Sequence, residues 1–491
     1  MRRIGRFIAV GALLLALLFV AAYAALQPPE ARNPELRDIA LRGVRVVRPG
    51  TAPSAPTTLS LHGDRIASIG DEDAPGTEPV DDYKGMLAVP GLVDMHVHFP
   101  LALLPGEVEL FGLLFLAHGV TAVRDVGSID HSTLELRRRS GEGRFVGPRV
   151  FACGPFVDGD PPVFAATRPE RIGRAEDAEA VVDALAMAGA DCIKVYSAMS
   201  AEVLIAVQEA AARNGLPVIG HVPEAILFEQ AQLDDVQHLT GVLPKGETPR
   251  FDWLRAWGGL DEERRTEIVA ASLQLGIAHT PTIAVSNRIS RLGDYASMRK
   301  EPVMRYLPPY YIDVLWNPAL NPFYSSQAPT DFKRGLPRVE MMKRLLAQLH
   351  AAGVAVFTGT DTTGPPFLVP AFTVPGASLQ EELAHFVDAG LTPEDAWIAS
   401  SRAPAEILGM QDLGLLRAGA PADFLLLRND PTQDLAALDS LEAVVVDGRL
   451  YPRSWIIEEL ERKRAYFNSP IYSCVSTRLA RSLLALLRAP G

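Results

Sequence analysis

Cysteine is scarce: Cys153, Cys192 and Cys474 are the three in 491 residues. They are too few and too scattered for a disulfide framework. No CxxC pair is present, which excludes cysteine-based zinc or redox chemistry. Cys192 reads as inner packing. Positive charge is also short, with 47 Lys and Arg against 59 Asp and Glu and a formal net charge of −12. A nucleic-acid partner needs a basic stripe, so none is expected. No GxSxG motif occurs, and nothing signals a serine or cysteine nucleophile. Long apolar runs are confined to Phe7–Leu26, which follows Arg2, Arg3 and Arg6. That run is either a secretory signal, with Ala22-Tyr23-Ala24 resembling a cleavage site, or a membrane anchor, for which about 20 residues suffice. No cysteine follows it, which argues against a lipid anchor. In both readings the basic flank stays inside, and the remainder is expected outside the cytoplasm, periplasmic or secreted. Membrane association would then run through this N-terminal segment.

What is present is an ordinary globular composition, long enough for one large domain and a smaller one. Residues 1–35 are leader and Pro-rich linker. Residues 36–88 read as short strands, including a hairpin about His62-Gly63-Asp64, and a strand-rich stretch returns at 422–451. Two β segments around a long middle predict one small β-sandwich built from 36–88 and 408–451. Within 89–407, apolar runs at 92–98, 122–127, 149–154, 192–197, 217–222, 235–239, 278–284 and 354–361 alternate with helix-like stretches. Eight such repeats predict an α/β fold, a (β/α)8 TIM barrel, with an open doubly wound sheet as the alternative. Two connections, 155–172 and 285–336, exceed ordinary lengths. The second carries Tyr295, Tyr306, Tyr310, Tyr311, Trp316, Phe323 and Tyr324, and reads as a lid or pocket wall, or as a packing or membrane-facing excursion. Residues 452–491 are a helical tail, amphipathic over Tyr472–Leu487, with a surface helix as the plain reading.

Chemistry-bearing residues gather at the carboxyl ends of the apolar runs. His96 and His98 lie two apart on the first strand, so both imidazoles face one side, here the barrel interior. Inward histidines at that end are expensive as packing and natural as metal ligands. Lys194 lies in the fourth strand, His221 and His238 end the fifth and sixth, and Asp361 ends the eighth. Tyr196 faces the same way as Lys194 and is a candidate for binding a substrate carboxylate or carbonyl. His279, beginning the seventh strand, is a second candidate for the pocket. Arg124 serves either the site or a buried ion pair. His385, with Glu381 and Glu382 beside it, reads as a surface residue.

With Val89-Pro90-Gly91-Leu92-Val93-Asp94-Met95 leading into His96-Val97-His98, the set resembles the amidohydrolase superfamily. The resemblance runs from about 36 to 450. It includes Gly119-Val120-Thr121-Ala122-Val123-Arg124-Asp125, Leu391-Thr392-Pro393-Glu394-Asp395-Ala396 and Ala420-Pro421-Ala422-Asp423-Phe424. Within the superfamily the chain looks most like the imidazolonepropionase-related branch, which includes Xaa-Pro dipeptidases. The resemblance implies two divalent metal ions, with zinc expected. It places His96, His98 and Asp361 on the more buried ion and His221 and His238 on the more exposed one. Lys194, N6-carboxylated, would bridge them, against the plain reading of a lysine snorkelling from the barrel mouth. Asp361 would be the catalytic base for a metal-activated water. The implied substrate is a small amide, a dipeptide or N-acyl amino acid. Hydrolysis of cyclic amides, lactones or related heterocycles is the alternative, and a non-catalytic binding protein on a barrel scaffold is the alternative of another class. The oligomeric state is left open.

Overall fold

Regular structure begins at Ile39 in this computed structural model, which describes residues 27–100, 105–163, 169–243, 257, 259–363 and 372–488. The strands β1 (Ile39–Val46), β2 (Thr57–His62), β3 (Arg65–Gly70), β4 (Glu78–Val80) and β5 (Leu87–Pro90) come first. The parallel strands follow as β6 (Leu92–His98), β7 (Val120–Asp125), β8 (Arg149–Ala152), β9 (Val157–Asp158), β10 (Glu170–Arg171), β11 (Ile193–Val195), β12 (Val218–Gly220), β13 (Asp235–Gln237), β14 (Ala278–Thr280) and β15 (Thr362–Thr363). The chain then returns through β16 (Phe424–Leu427), β17 (Leu441–Val446) and β18 (Arg449–Pro452).

Strands from both flanks share one sheet in the order β18-β17-β16-β5-β1-β2-β3, with β4 paired to β1. The pairing thus gives one eight-stranded sheet where two stacked layers were expected. The cause lies in β1. It pairs β2 along its length and β5 near its end, and its register with β2 breaks between Leu41 and Val44. Gly43 sits in that break at φ 69°, a conformation that favours glycine. The sheet curls until Arg65 bridges Pro421 and the Ile66 N–H donates to Ala420 O at 3.0 Å. It encloses a core of its own around Leu41, Leu59, Phe424, Leu426 and Val445.

The parallel strands fall into two sheets, β15-β6-β7-β8 and β10-β9-β11-β12-β13-β14. Single backbone hydrogen bonds join them: Asp191 N to Ala152 O at 2.8 Å, Phe357 N to His279 O at 2.8 Å and Met95 N to Thr358 O at 2.9 Å. The third to the eighth expected strands are all shorter than their apolar runs, and the last two end where the backbone turns. The seventh stops at Thr280 because Thr282 turns to φ 53° and a helix starts at Ile283. The eighth is reduced to a bridge between Val356 and His279, and its end bends at Asp361, φ 52°.

Cys153 and Cys192 form a disulfide, 39 residues apart in sequence, which corrects the reading of Cys192 as plain packing. Both side chains are buried beside Val126 and Ile219. Strand β8 ends just before Cys153 and β11 begins just after Cys192, and Asp191 N bonds Ala152 O, so neighbouring strand ends bring the sulfurs together.

The 285–336 connection packs its aromatics rather than displaying them. Tyr306, Tyr310, Tyr311, Trp316 and Tyr324 are buried, and Phe323 is exposed. Three hydroxyls meet on Glu107, at the start of the Glu107–Ala117 helix: Tyr310 donates at 2.5 Å, Tyr311 at 3.2 Å and Tyr472 at 2.7 Å. Burial pushes the Glu107 carboxyl up to about 7 against those donors. Among the described residues no helix is long and apolar enough to cross a membrane. The Phe7–Leu26 run lies outside them.

Candidate metal centre

On β6, alternation turns Asp94, His96 and His98 to one face. His96 is buried with neither ring nitrogen hydrogen-bonded, and its Nε2 lies 3.3 Å from Asp361 Oδ1. His98 Nε2 lies 3.4 Å from the same oxygen. Ligand atoms of His96, His98 and Asp361 all fall within 4.8 Å of one another, a spacing that fits one metal ion. An orphaned imidazole in such a cluster is costly unless a ligand meets it. His238 follows β13 with its ring 4.5 Å from that of His96, and His221 follows β12 with its ring 5.0 Å from that of His238.

Each outer histidine is held through Nδ1, so Nε2 is the nitrogen that would meet a metal ion. His98 Nδ1 donates to Gly127 O at 2.7 Å. His238 Nδ1 meets Thr282 Oγ1 at 2.6 Å, and His221 Nδ1 meets Ser197 Oγ at 3.1 Å. Burial holds His96, His221 and His238 well below the usual imidazole range, and the Lys194 charge lowers each further. Neutral imidazole is the form that binds metal. Lys194 is itself buried and donates to Gln237 Oε1, and burial brings its amine down to about 7 against the charges of Asp361 and Asp235. Asp361 stays ionised: burial works against the carboxylate, but the contact with His98 and the charges of His238, His98 and Lys194 hold it below the usual range.

A family pattern for amidohydrolases matches residues 87–451. The chain belongs to the amidohydrolase family. Members of that family are hydrolases acting on carbon–nitrogen bonds. An adenine deaminase of Thermosipho africanus (strain TCF52B) is 36% identical over 96 residues, which are 19% of this chain and 16% of that protein. The match therefore spans about a sixth of that relative. Among solved structures, the bottromycin amidohydrolase AH superposes with TM-score 0.68 at 24% identity over 91% of this chain and 94% of that one. A Xaa-Pro dipeptidase with bound methionine superposes with TM-score 0.60 at 18% identity over 84% of this chain and 100% of that one. These two likenesses carry the fold, an α/β barrel-like arrangement.

In this amidohydrolase, Tyr196 lies against the centre, its ring 4.3 Å from His221 and 5.0 Å from Phe156. His279 does not face the pocket. It is buried on the helix side of β14, stacked on Phe228 at 5.8 Å, with Nε2 2.9 Å from Ser272 Oγ. Its neighbour Thr280 takes the inward place, donating to Asp235 at 2.8 Å, and Asp235 pairs with buried Arg124. Burial brings His279 down to about 3. As pH falls below about 6.5, the unfolded chain takes up a proton that folded His279 refuses, so stability is lost progressively toward pH 3. His279→Phe keeps the ring contact, and Ser272 Oγ retains Ile268 O at 2.7 Å. Urea midpoints at pH 7 and pH 5 should show a smaller acid loss for the variant; equal losses would remove His279 as the cause.

Two carboxylates escaped the sequence reading. Asp94 accepts from His96 N at 3.2 Å, Thr360 N at 3.1 Å and Thr360 Oγ1 at 2.7 Å, tying β6 to the Asp361 loop. Its signal was present, since it shares the parity of His96 and His98. Glu382, given no role by the sequence, is fully buried and accepts from Ile283 N at 3.0 Å and Ala284 N at 2.6 Å. Burial pushes it up to about 8. It anchors the helix start next to Thr282, the residue that holds His238. Glu382→Ala is expected to weaken metal affinity roughly 10- to 100-fold by loosening that support. A zinc-competition titration checks this, and unchanged affinity would show that Thr282 keeps its place alone.

Proposed function

We propose that this amidohydrolase cleaves small amides, dipeptides or N-acyl amino acids, at a two-metal site outside the cytoplasm. The observation that carries the reading is the orphaned His96 imidazole facing Asp361 beside His98, His221, His238 and Lys194. His96, His98 and Asp361 would hold one ion and His221 and His238 the other, with zinc suited to the imidazole–carboxylate set. Bound divalent metal supplies water activation and carbonyl polarisation.

The chain's own residues supply the rest. Lys194, its amine brought down to about 7 by burial, would add to CO2 with formation of an N–C bond and loss of a proton, and the resulting carbamate would supply negative oxygen ligands to the metal ions. Asp361, kept ionised, takes a proton from the attacking water and hands it to the leaving amine nitrogen. Tyr196, whose hydroxyl burial keeps protonated, donates a hydrogen bond to a substrate carboxylate or carbonyl oxygen. The disulfide favours an oxidising compartment. The basic, then apolar, N-terminus adds export or anchoring to the same reading.

The test is a metal-loaded screen of dipeptides and N-acyl amino acids beside lactams and lactones. Dipeptide or N-acyl cleavage is the expected result. Efficient lactone or cyclic-amide opening with neither cleaved would overturn the substrate assignment and leave the hydrolase standing.

A further inference from the structure

The Pro470–Arg488 helix has two unlike faces. Tyr472, Ser476, Ala480 and Leu484, four apart, are buried against the body. Ile471, Val475 and Leu479, also four apart, stand on the outer side at 59, 41 and 47% exposure. Residues at that spacing stack on one face in successive turns. The other large apolar side chains exposed among the described residues do not form such a run. Arg478 and Arg481 lie along one side of the stripe, away from the buried face, and are exposed, and the helix carries no Asp or Glu although the chain's net charge is −12. An apolar stripe edged on its solvent side by arginines and free of carboxylates suits the headgroup boundary of an anionic bilayer.

Where the chain enters the described structure points the same way. Pro28 and Phe467 both crowd Gly106, where an added Cβ would meet them at 2.8 and 3.5 Å. Arg462 Nη2 donates to Glu30 O at 3.0 Å. The residues just after the apolar Phe7–Leu26 run are therefore seated beside the root of this helix.

We propose that the outer face of the Pro470–Arg488 helix docks on an anionic membrane surface, lying in its plane. The seating of Pro28 bears on this docking only with Phe7–Leu26 as a membrane segment; the helix face does not depend on it. Cys474 provides the probe, because it is free and exposed on the same helix while Cys153 and Cys192 are bonded. The full-length protein is mixed with phosphatidylcholine vesicles with or without phosphatidylglycerol, and flotation and the rate of Cys474 alkylation by a water-soluble maleimide are measured.

Phosphatidylglycerol vesicles are expected to slow alkylation about tenfold. Val475→Glu, or Arg478→Glu with Arg481→Glu, should restore the rate without lowering hydrolysis of a soluble substrate. Flotation with undiminished alkylation would overturn the docking while leaving the N-terminal segment as an anchor; no flotation would overturn both. Protection without vesicles that grows with protein concentration would assign the face to a second copy. Protection without vesicles at every concentration would assign it to the chain's own N-terminal segment. Either result overturns the lipid assignment.

Discussion

Asp361→Asn is expected to lower kcat by roughly four powers of ten, because proton transfer and metal ligation are lost together. The loss should be chemical rather than structural. Asp361 sits at φ 52°, a left-handed backbone that asparagine tolerates better than other side chains. The backbone bond from Asp361 N to His96 O at 2.8 Å is untouched by the substitution. The thermal midpoint of the metal-free variant should therefore stay near that of the wild type while turnover collapses. Turnover within tenfold of wild type at full metal loading would remove Asp361 from the role of base.

Lys194→Ala should take out metal as well as rate, with kcat down about a thousandfold and at least one ion lost from the purified protein. The position is unusual for a lysine: buried, bonded to Gln237, and packed so that a side chain on Gly220 would meet its Cδ at 3.0 Å. Lys194→Met fills the same space without an amine and separates packing from ligation. If ligation is the role, both variants lose metal, and added short-chain carboxylic acids restore part of the activity to the alanine variant alone. A methionine variant with full metal content and wild-type kcat would overturn the bridging role.

Much of the centre was legible because ionisable residues closed successive apolar runs, a pattern that packing alone does not produce. His96, His98, His221, His238 and Asp361 were found by that rule, and the structure draws them together. Strand parity was the weak point. The Ala278-His279-Thr280 segment reads equally well with either residue inward, and the structure chose Thr280 because Asp235 offers it a hydrogen bond. Glu382 was unreadable for another reason. Burying a carboxylate is unfavourable unless donors meet it, and its donors lie on a helix start 98 residues earlier. The curled sheet depended on a register break within one strand, which alternation does not reveal. The disulfide was hidden by sequence distance, since the strand ends that carry its cysteines become neighbours only in the barrel-like fold.

That disulfide also has a history imposed by its position. Closing a loop of 39 residues restricts the unfolded chain by about 4 kcal/mol in a chain-entropy account. Yet both sulfurs are buried in the interior beside Val126 and Ile219, out of contact with an oxidant or thiol reagent in solvent. The bond therefore belongs to the chain while it is still open and is sealed in as the strands close over it. A molecule assembled in a reducing compartment would shut two thiols inside, and later exposure to oxidant would leave them so until the molecule next unfolded. The finished protein thus carries a record of the surroundings in which it folded.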